Sequence, residues 1–313
     1  MIDNPLRKKK FKSQHASDIT GRVFTYIILI VLSLIWIIPI LWIFLSAFRC
    51  DYKTDGTFIG IITSSYFPSR IGFDNFVKLW NYAYASGKDH SFIRWMGNTM
   101  LIAVVCCIIS TFLILSVAYC MSKLRFKLRK PFMNITMILG LFPGFMSMIA
   151  IYFILKSVGL CANASAPQLS IVGLILAYSA GAGLGFQIAK GFFDVLPNSL
   201  VESAKLDGCS NFKIFRTIIL PLSKPIIIYT ALMAFTGPWM DFIFAKVILG
   251  NDSDYWTVSV GLYNMMFGGQ TSDTSVFTIF CAGCTCVGIP IVSLFMALQR
   301  YYVEGVTAGA VKG

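Results

Sequence analysis

Six apolar runs, each long enough to cross a lipid bilayer as a helix, leave this chain few ways to fold. They span residues 23–48, 98–121, 132–155, 168–189, 225–249 and 276–298. A hydrocarbon layer takes about 20 apolar residues of helix. The stretches between the runs are too short for a separate soluble domain. Composition agrees: 57% of the 313 residues are apolar and 13% are charged, about half the charged share of a soluble domain. A water-soluble chain of this length could not hide so much apolar surface. Helices satisfy their own backbone groups in lipid. The expectation is therefore an all-α polytopic membrane protein with six transmembrane helices. The first run does not read as a cleaved leader, because it is long and no small-residue cleavage site follows it.

Charge orients the bundle. With the N-terminus inside, segments 1–22, 122–131, 190–224 and 299–313 are cytoplasmic and hold 18 Lys and Arg residues; the external segments 49–97, 156–167 and 250–275 hold 7. That bias predicts both termini in the cytoplasm of a multi-pass protein of the cell (inner or plasma) membrane. The chain divides into a basic tail (1–22), a first span with its external segment (23–97), a core (98–298) carrying a cytoplasmic loop (190–224), and a C-terminal tail (299–313). The net charge of +12 points to anionic lipid at the inner leaflet, not to nucleic acid. Each basic residue near that surface contributes about 1 kcal/mol.

Nine cysteines and two histidines form no metal or nucleophile cluster. Most of the cysteines fall inside spans, where they act as small hydrophobes. Cys281 and Cys284 have CxxC spacing without a polar setting. Cys50 and Cys161 both lie outside on this topology, which leaves a disulfide between them open.

The cytoplasmic loop 190–224 has local order. Ser199 followed by Glu202 fits a capping box, Gly208 fits a left-handed helix stop, and Ser210 can cap a second helix over 211–219. Phe212, Phe215, Ile218 and Ile219 fall on one face of that helix, and Leu220-Pro221 closes it. Two short helices bent at a glycine would lie across the inner mouth. They rest either on the membrane and neighbouring helices or in a groove of a cytoplasmic partner.

Glu202-Ser203-Ala204, Asp207-Gly208, Ile218, Leu220 and Pro221 match, at the right spacing, the E-A-A…G…I-x-L-P loop of binding-protein-dependent ABC importers. Only Ser203 departs from it, one small residue for another. The chain resembles that family, and its tail through Thr307-Ala308-Gly309 is similar to the shorter maltose/maltodextrin-type permease. The resemblance implies a type I importer permease fold. It makes this chain half of a pathway for ATP-driven oligosaccharide uptake. It also implies a second permease subunit, two copies of a cytoplasmic ABC ATPase docked on the residues just named, and an extracytoplasmic sugar-binding protein. ATP and Mg would sit on the ATPases, with no cofactor on this chain; no GxxxxGK[ST] stretch occurs in it.

Other features carry two readings each. Asp74 can cap an amphipathic helix bearing Phe76, Val77, Leu79 and Trp80, either interfacial or a receptor-docking surface. The resemblance makes segment 250–275 a loop that reaches into the receptor. The glycines at 181, 183 and 185 allow close helix packing. Asp241, an intramembrane carboxylate costing about 2.5–3.5 kcal/mol on insertion, either lines the substrate path with Trp239 or meets a companion subunit, or else pairs with Lys246 or sits with it near the outer interface. A self-contained secondary transporter would want more spans or an inverted repeat. A membrane enzyme would need a catalytic cluster.

Overall fold

A computed structural model describes residues 5–52, 58–59, 67–68, 70–84, 90–161, 166–181, 185–268 and 276–310, with the backbone alone at 5–20, 52, 58–59 and 301–310. Thirteen helices are described: α1 Pro5–Ala47, α2 Asp74–Trp80, α3 Ser91–Lys123, α4 Arg129–Leu139, α5 Gly144–Ser157, α6 Leu169–Gly181, α7 Phe186–Val195, α8 Asn198–Leu206, α9 Asn211–Leu222, α10 Lys224–Met240, α11 Ile243–Leu249, α12 Val258–Phe267 and α13 Val276–Ala310. The described strands are a two-residue pair, Asp51–Tyr52 with Phe58–Ile59, in the external segment.

The six expected spans map in order onto α1, α3, α4–α5, α6–α7, α10–α11 and α13. Three are single helices long and apolar enough to cross a bilayer: Gly21–Ala47, Ser91–Lys123 and Val276–Arg300. The third and fifth are broken at described residues, where Pro143 and the Gly237-Pro238 pair predict a bend. The third run turns by 103° between α4 and α5. Pro143 sits at that corner with no N–H to continue the ladder. The fifth run stops at Asp241, whose backbone is extended (ψ 127°), and restarts at Ile243. In the fourth, Ala182–Leu184 lie outside the described residues. α1 runs unbroken from Pro5, and its apolar span begins at Gly21.

α3 is the axis of the bundle. Its buried residues, Trp95, Thr99, Ile102, Cys106, Ser110 and Ile114, recur every three or four positions, one continuous helical stripe. α6, α7, α10 and α12 pack against it. Small residues on the stripe, Ala103 and Cys106 among them, let those neighbours come close. The flanks of α1 and α4 carry bare Leu, Ile and Phe side chains, as lipid-facing or partner-facing helices do.

Where α1, α2 and α13 meet, Asn75 ties three elements. Its Nδ2 donates to the carbonyls of Ala47 and Arg49 (2.9 and 2.7 Å), and its Oδ1 accepts from the Thr278 hydroxyl (3.0 Å). Asp74 is not the cap of α2, as the sequence had suggested: Phe73 holds that position without a side-chain bond, and Asp74 opens the helix. Nor do Cys50 and Cys161 pair. Both are free buried thiols, and Cys161 lies 3.7 Å from the Val247 carbonyl.

Segment 250–275 is far less open than its composition suggests. Its middle is α12, whose Val258, Val260, Leu262 and Met265 are buried. Trp95 Nε1 donates to the Ser253 carbonyl (2.8 Å), Asn98 to those of Asp254 and Trp256 (2.8 and 3.1 Å), and the Val258 amide to Thr99 Oγ1 (2.8 Å). Residues 269–275 lie outside the described residues.

The α3–α12 contact depends on Gly261, where an added Cβ would lie 2.1 Å from the Trp95 ring. Gly261→Ala should therefore destabilise the protein by about 1–3 kcal/mol through overpacking. Gly97→Ala, on α3 with open space around it, should leave stability unchanged or slightly raised. Thermal unfolding of both variants in detergent, followed by tryptophan fluorescence, checks the contrast.

Candidate functional site

The α8–α9 element is built around Gly208. Its φ of +76° is a conformation that costs other residues a Cβ clash. Two bonds close α8: the Gly208 amide donates to Lys205 O (3.0 Å) and the Cys209 amide to Ala204 O (2.9 Å), the paired arrangement of a glycine-terminated helix. Ser210 then caps α9 by accepting from the Lys213 amide (3.3 Å). The expected capping box at Ser199 does not form. Pro197, with its fixed φ of −58°, takes the N-cap position two residues earlier, so Ser199 falls inside the first turn. Leu220-Pro221 does not end α9 either. The helix widens by one residue per bond over Phe215–Ile219 and continues to Leu222. It then meets α10 at 89°.

Val201, Ala204, Ile214, Phe215 and Ile219 are buried in a second core with Ile114, Ala118 and Tyr119 of α3 and Phe186 and Phe193 of α7. Ile218 and Leu220 are half-buried. Glu202, Ser203, Asp207, Gly208 and Pro221 are exposed. Phe212, expected on the buried face, points out instead (65% exposed). Leu206, on the other side of the bend, is 89% exposed.

Polar contacts fix this element to the end of α3. Lys123 is buried, and its Nζ donates to the Leu196 carbonyl (2.7 Å) and to Asn198 Oδ1 (3.0 Å). Tyr119 donates to Asn211 O (3.1 Å) and stacks on Phe215 at 5.0 Å. Ser122 donates to Asp194 Oδ1 (2.6 Å), whose other oxygen pairs with Lys190. Burial pushes the Asp194 carboxyl up. The bonds from Lys190 and Ser122 and the attraction of Lys190 and Arg129 outweigh it, and hold the group below the ordinary carboxylate range. A cleft of about 640 Å³ with Lys123, Arg129, Glu202 and Lys205 in its walls lies alongside.

A cavity of about 460 Å³ lies further up the same helices. Its walls come from Cys106, Ser110 and Ile114 of α3, Ile188 of α7, and Tyr229 and Met233 of α10, with Tyr178 and Asp241 adding polar edges. Asp241 sits in the break of the fifth run and caps α11. Its Oδ1 accepts from the Phe244 amide (3.3 Å), and its Oδ2 from the Ala245 amide (3.1 Å) and the Tyr178 hydroxyl (2.6 Å). Those donors replace the Lys246 pairing that the sequence left open; the Lys246 ammonium lies over the Trp256 ring at 4.2 Å. Trp239 is buried (3% exposed) against Phe235 and does not line the cavity. Tyr178 was not singled out from sequence, since nothing in its surroundings marks one tyrosine out of 13.

The profile of a family described as "Binding-protein-dependent transport system inner membrane component" matches residues 113–307, from the middle of α3 to the last turns of α13. The chain belongs to that family. Among its relatives is the galactooligosaccharides transport system permease protein GanQ of Bacillus subtilis (strain 168), 32% identical over 93% of this chain and 95% of GanQ. Another is the maltodextrin transport system permease protein MalD of Streptococcus pneumoniae, 31% identical over 92% of this chain and 95% of MalD. A chain in the crystal structure of a bacterial ABC transporter that imports the acidic polysaccharide alginate superposes with a TM-score of 0.75 at 20% identity, covering 91% of this chain and 98% of the other. The fold is that of an ABC importer permease.

Asp194 supplies a test of how the inner mouth is held. A carboxyl whose folded-state pKa lies below its unfolded value adds stability above the unfolded pKa and loses it as pH falls through the folded one. Wild type should therefore outlast Asp194→Asn by a constant margin at neutral pH. The margin should vanish as pH drops through the carboxylate range, in thermal denaturation scans across pH.

Proposed function

We propose that this chain is one of two permease subunits of an ABC importer that takes up an oligosaccharide of the maltodextrin or galactooligosaccharide class. Family membership and relatives named for those sugars support the reading. The observation that carries it is the inner-mouth lever: α8 and α9, bent at Gly208, with Leu206 and Phe212 bare on either side of the bend. A soluble face rarely leaves two large apolar side chains so exposed beside a rigid turn without a partner to cover them.

In this reading the exposed Glu202, Ser203, Asp207, Gly208 and Pro221 meet the ATPase, while Ala204, Ile218 and Leu220 root the lever in the bundle. ATP and Mg are held by the two ATPase subunits, and this chain performs no hydrolysis. A second permease completes the pathway along α3, α7 and α10. A sugar-binding protein delivers the load to the outer face, where α2 and the α11–α12 connection sit. Both termini are cytoplasmic.

Mechanically, closure of the ATPases moves α8 and α9. Lys123 and Tyr119 pass that motion to α3, and the shared core passes it to α7. Both helices wall the cavity, so its access changes with the nucleotide state.

The test is uptake by proteoliposomes holding this chain, a second permease and the ATPase, with binding protein outside. Uptake should require ATP inside and loaded binding protein outside. Gly208→Pro should assemble normally yet lose about tenfold or more of its uptake, because proline cannot adopt a positive φ. Uptake driven by an ion gradient without ATP would reject the reading.

A further inference from the structure

The cavity of about 460 Å³ has one formal charge among its lining residues, the Asp241 carboxylate. No Lys, Arg or His joins it there, and the neighbouring residues outside the described set, Ala182–Leu184, are uncharged. A carboxylate at membrane depth normally finds a cation. Here three donors hold it instead, two backbone amides at the start of α11 and the Tyr178 hydroxyl. Two of these groups are backbone amides that can only donate, and with the Tyr178 hydroxyl they make the side chain of Asp241 an acceptor.

Its acceptor capacity is not exhausted. Each carboxylate oxygen can take about two hydrogen bonds. Oδ2 already accepts from Tyr178 and Ala245, while Oδ1 accepts only the longer bond from Phe244. Tyr178 spends its proton on Asp241, which leaves its oxygen free to accept. The polar edge of the cavity is therefore an acceptor-rich, negatively charged corner facing walls of Ile114, Ile188, Met233 and Pro238. Such a corner receives hydroxyl donors, and the apolar walls receive the C–H faces of a sugar ring. A uronate carboxylate brings a like charge and no donor, and in a low-dielectric site that repulsion is large.

We propose that Tyr178 and Asp241 form the saccharide-contacting subsite of this chain, selecting uncharged sugar hydroxyls and excluding uronic acids. The proposal rests on the importer reading above and narrows it. It separates this chain from the structurally similar transporter, whose cargo is an acidic polysaccharide. Asp241 contacts the sugar directly through Oδ1, and Tyr178 both contacts it and holds the carboxylate in place.

Binding to the purified four-subunit transporter in nanodiscs, with ATP and binding protein omitted, tests this. The probes are tritiated maltotriose and galactotriose, with trigalacturonate as the competitor. Wild type should bind a neutral trisaccharide that trigalacturonate does not displace. Tyr178→Phe and Asp241→Asn should each weaken that binding about tenfold or more, as expected for lost hydrogen bonds to a charged group. Asp241→Asn keeps one oxygen to accept from one of the two α11 amides, so the start of α11 is weakened but not stripped of its cap while the charge is gone. In that variant trigalacturonate should now compete, a change that a purely structural Asp241 would not produce.

Uptake in proteoliposomes separates the two levels of the argument. If wild type transports a neutral trisaccharide, the subsite is overturned by any of three results: neither probe binds, both variants bind as wild type does, or trigalacturonate displaces the sugar from wild type. If no saccharide is transported with ATP and loaded binding protein present, the importer reading itself fails.

Discussion

The end of α3 is where the two working regions of this protein are joined. Lys123 places a buried ammonium on the Leu196 carbonyl and the Asn198 side chain, at the corner where the chain leaves α7 and enters α8. These two charge-assisted bonds tie the corner to the end of α3, in the wall of the cleft beside it. One turn back, Tyr119 adds a hydrogen bond and a ring contact to α9. The same helix then runs up past the cavity at Ile114, Ser110 and Cys106 and ends against the outer knot at Thr99, Asn98 and Trp95. In the proposed mechanism one continuous helix would carry a displacement of α8 and α9 to both the cavity and its far end.

What was legible in the sequence follows from the range of the forces involved. Spans are written in local hydropathy, and the six runs fall where helices fall. The glycine bend is local too: a left-handed residue flanked by a helix end and a Ser cap needs only Gly208 and Ser210. Where two local signals competed, the stiffer one prevailed, and Pro197 set the start of α8 ahead of Ser199. Other features depend on residues far apart in the chain. Nothing near Tyr178 announces Asp241, 63 residues away. The packing of Gly261 on Trp95 joins segments that hydropathy treats separately. Segment 250–275 looked like an open loop because its glycines and polar residues cluster at the ends, whereas the apolar stretch between them forms a buried helix.

The breaks in the fifth run have a shared logic. α10 is bounded by a right-angle turn at Ser223 and by the extended residue Asp241, so it is a rigid rod between two joints. It packs along α3 and α13 and carries Tyr229, Met233 and Pro238 to the cavity. Beyond the second joint α11 packs on α5 and α6, and Ser259 of α12 donates to the Asp241 carbonyl at 2.6 Å. The side chain of Asp241 caps α11 while its main chain anchors α12. A helix interrupted in lipid would expose bare amides at several kcal/mol each; here the carboxylate satisfies two of them. The residue that repairs the break is also the one that edges the cavity. Any ligand drawing on that carboxylate competes for the group that stabilises the joint, which makes occupancy of the cavity and the set of the outer half-helix thermodynamically linked.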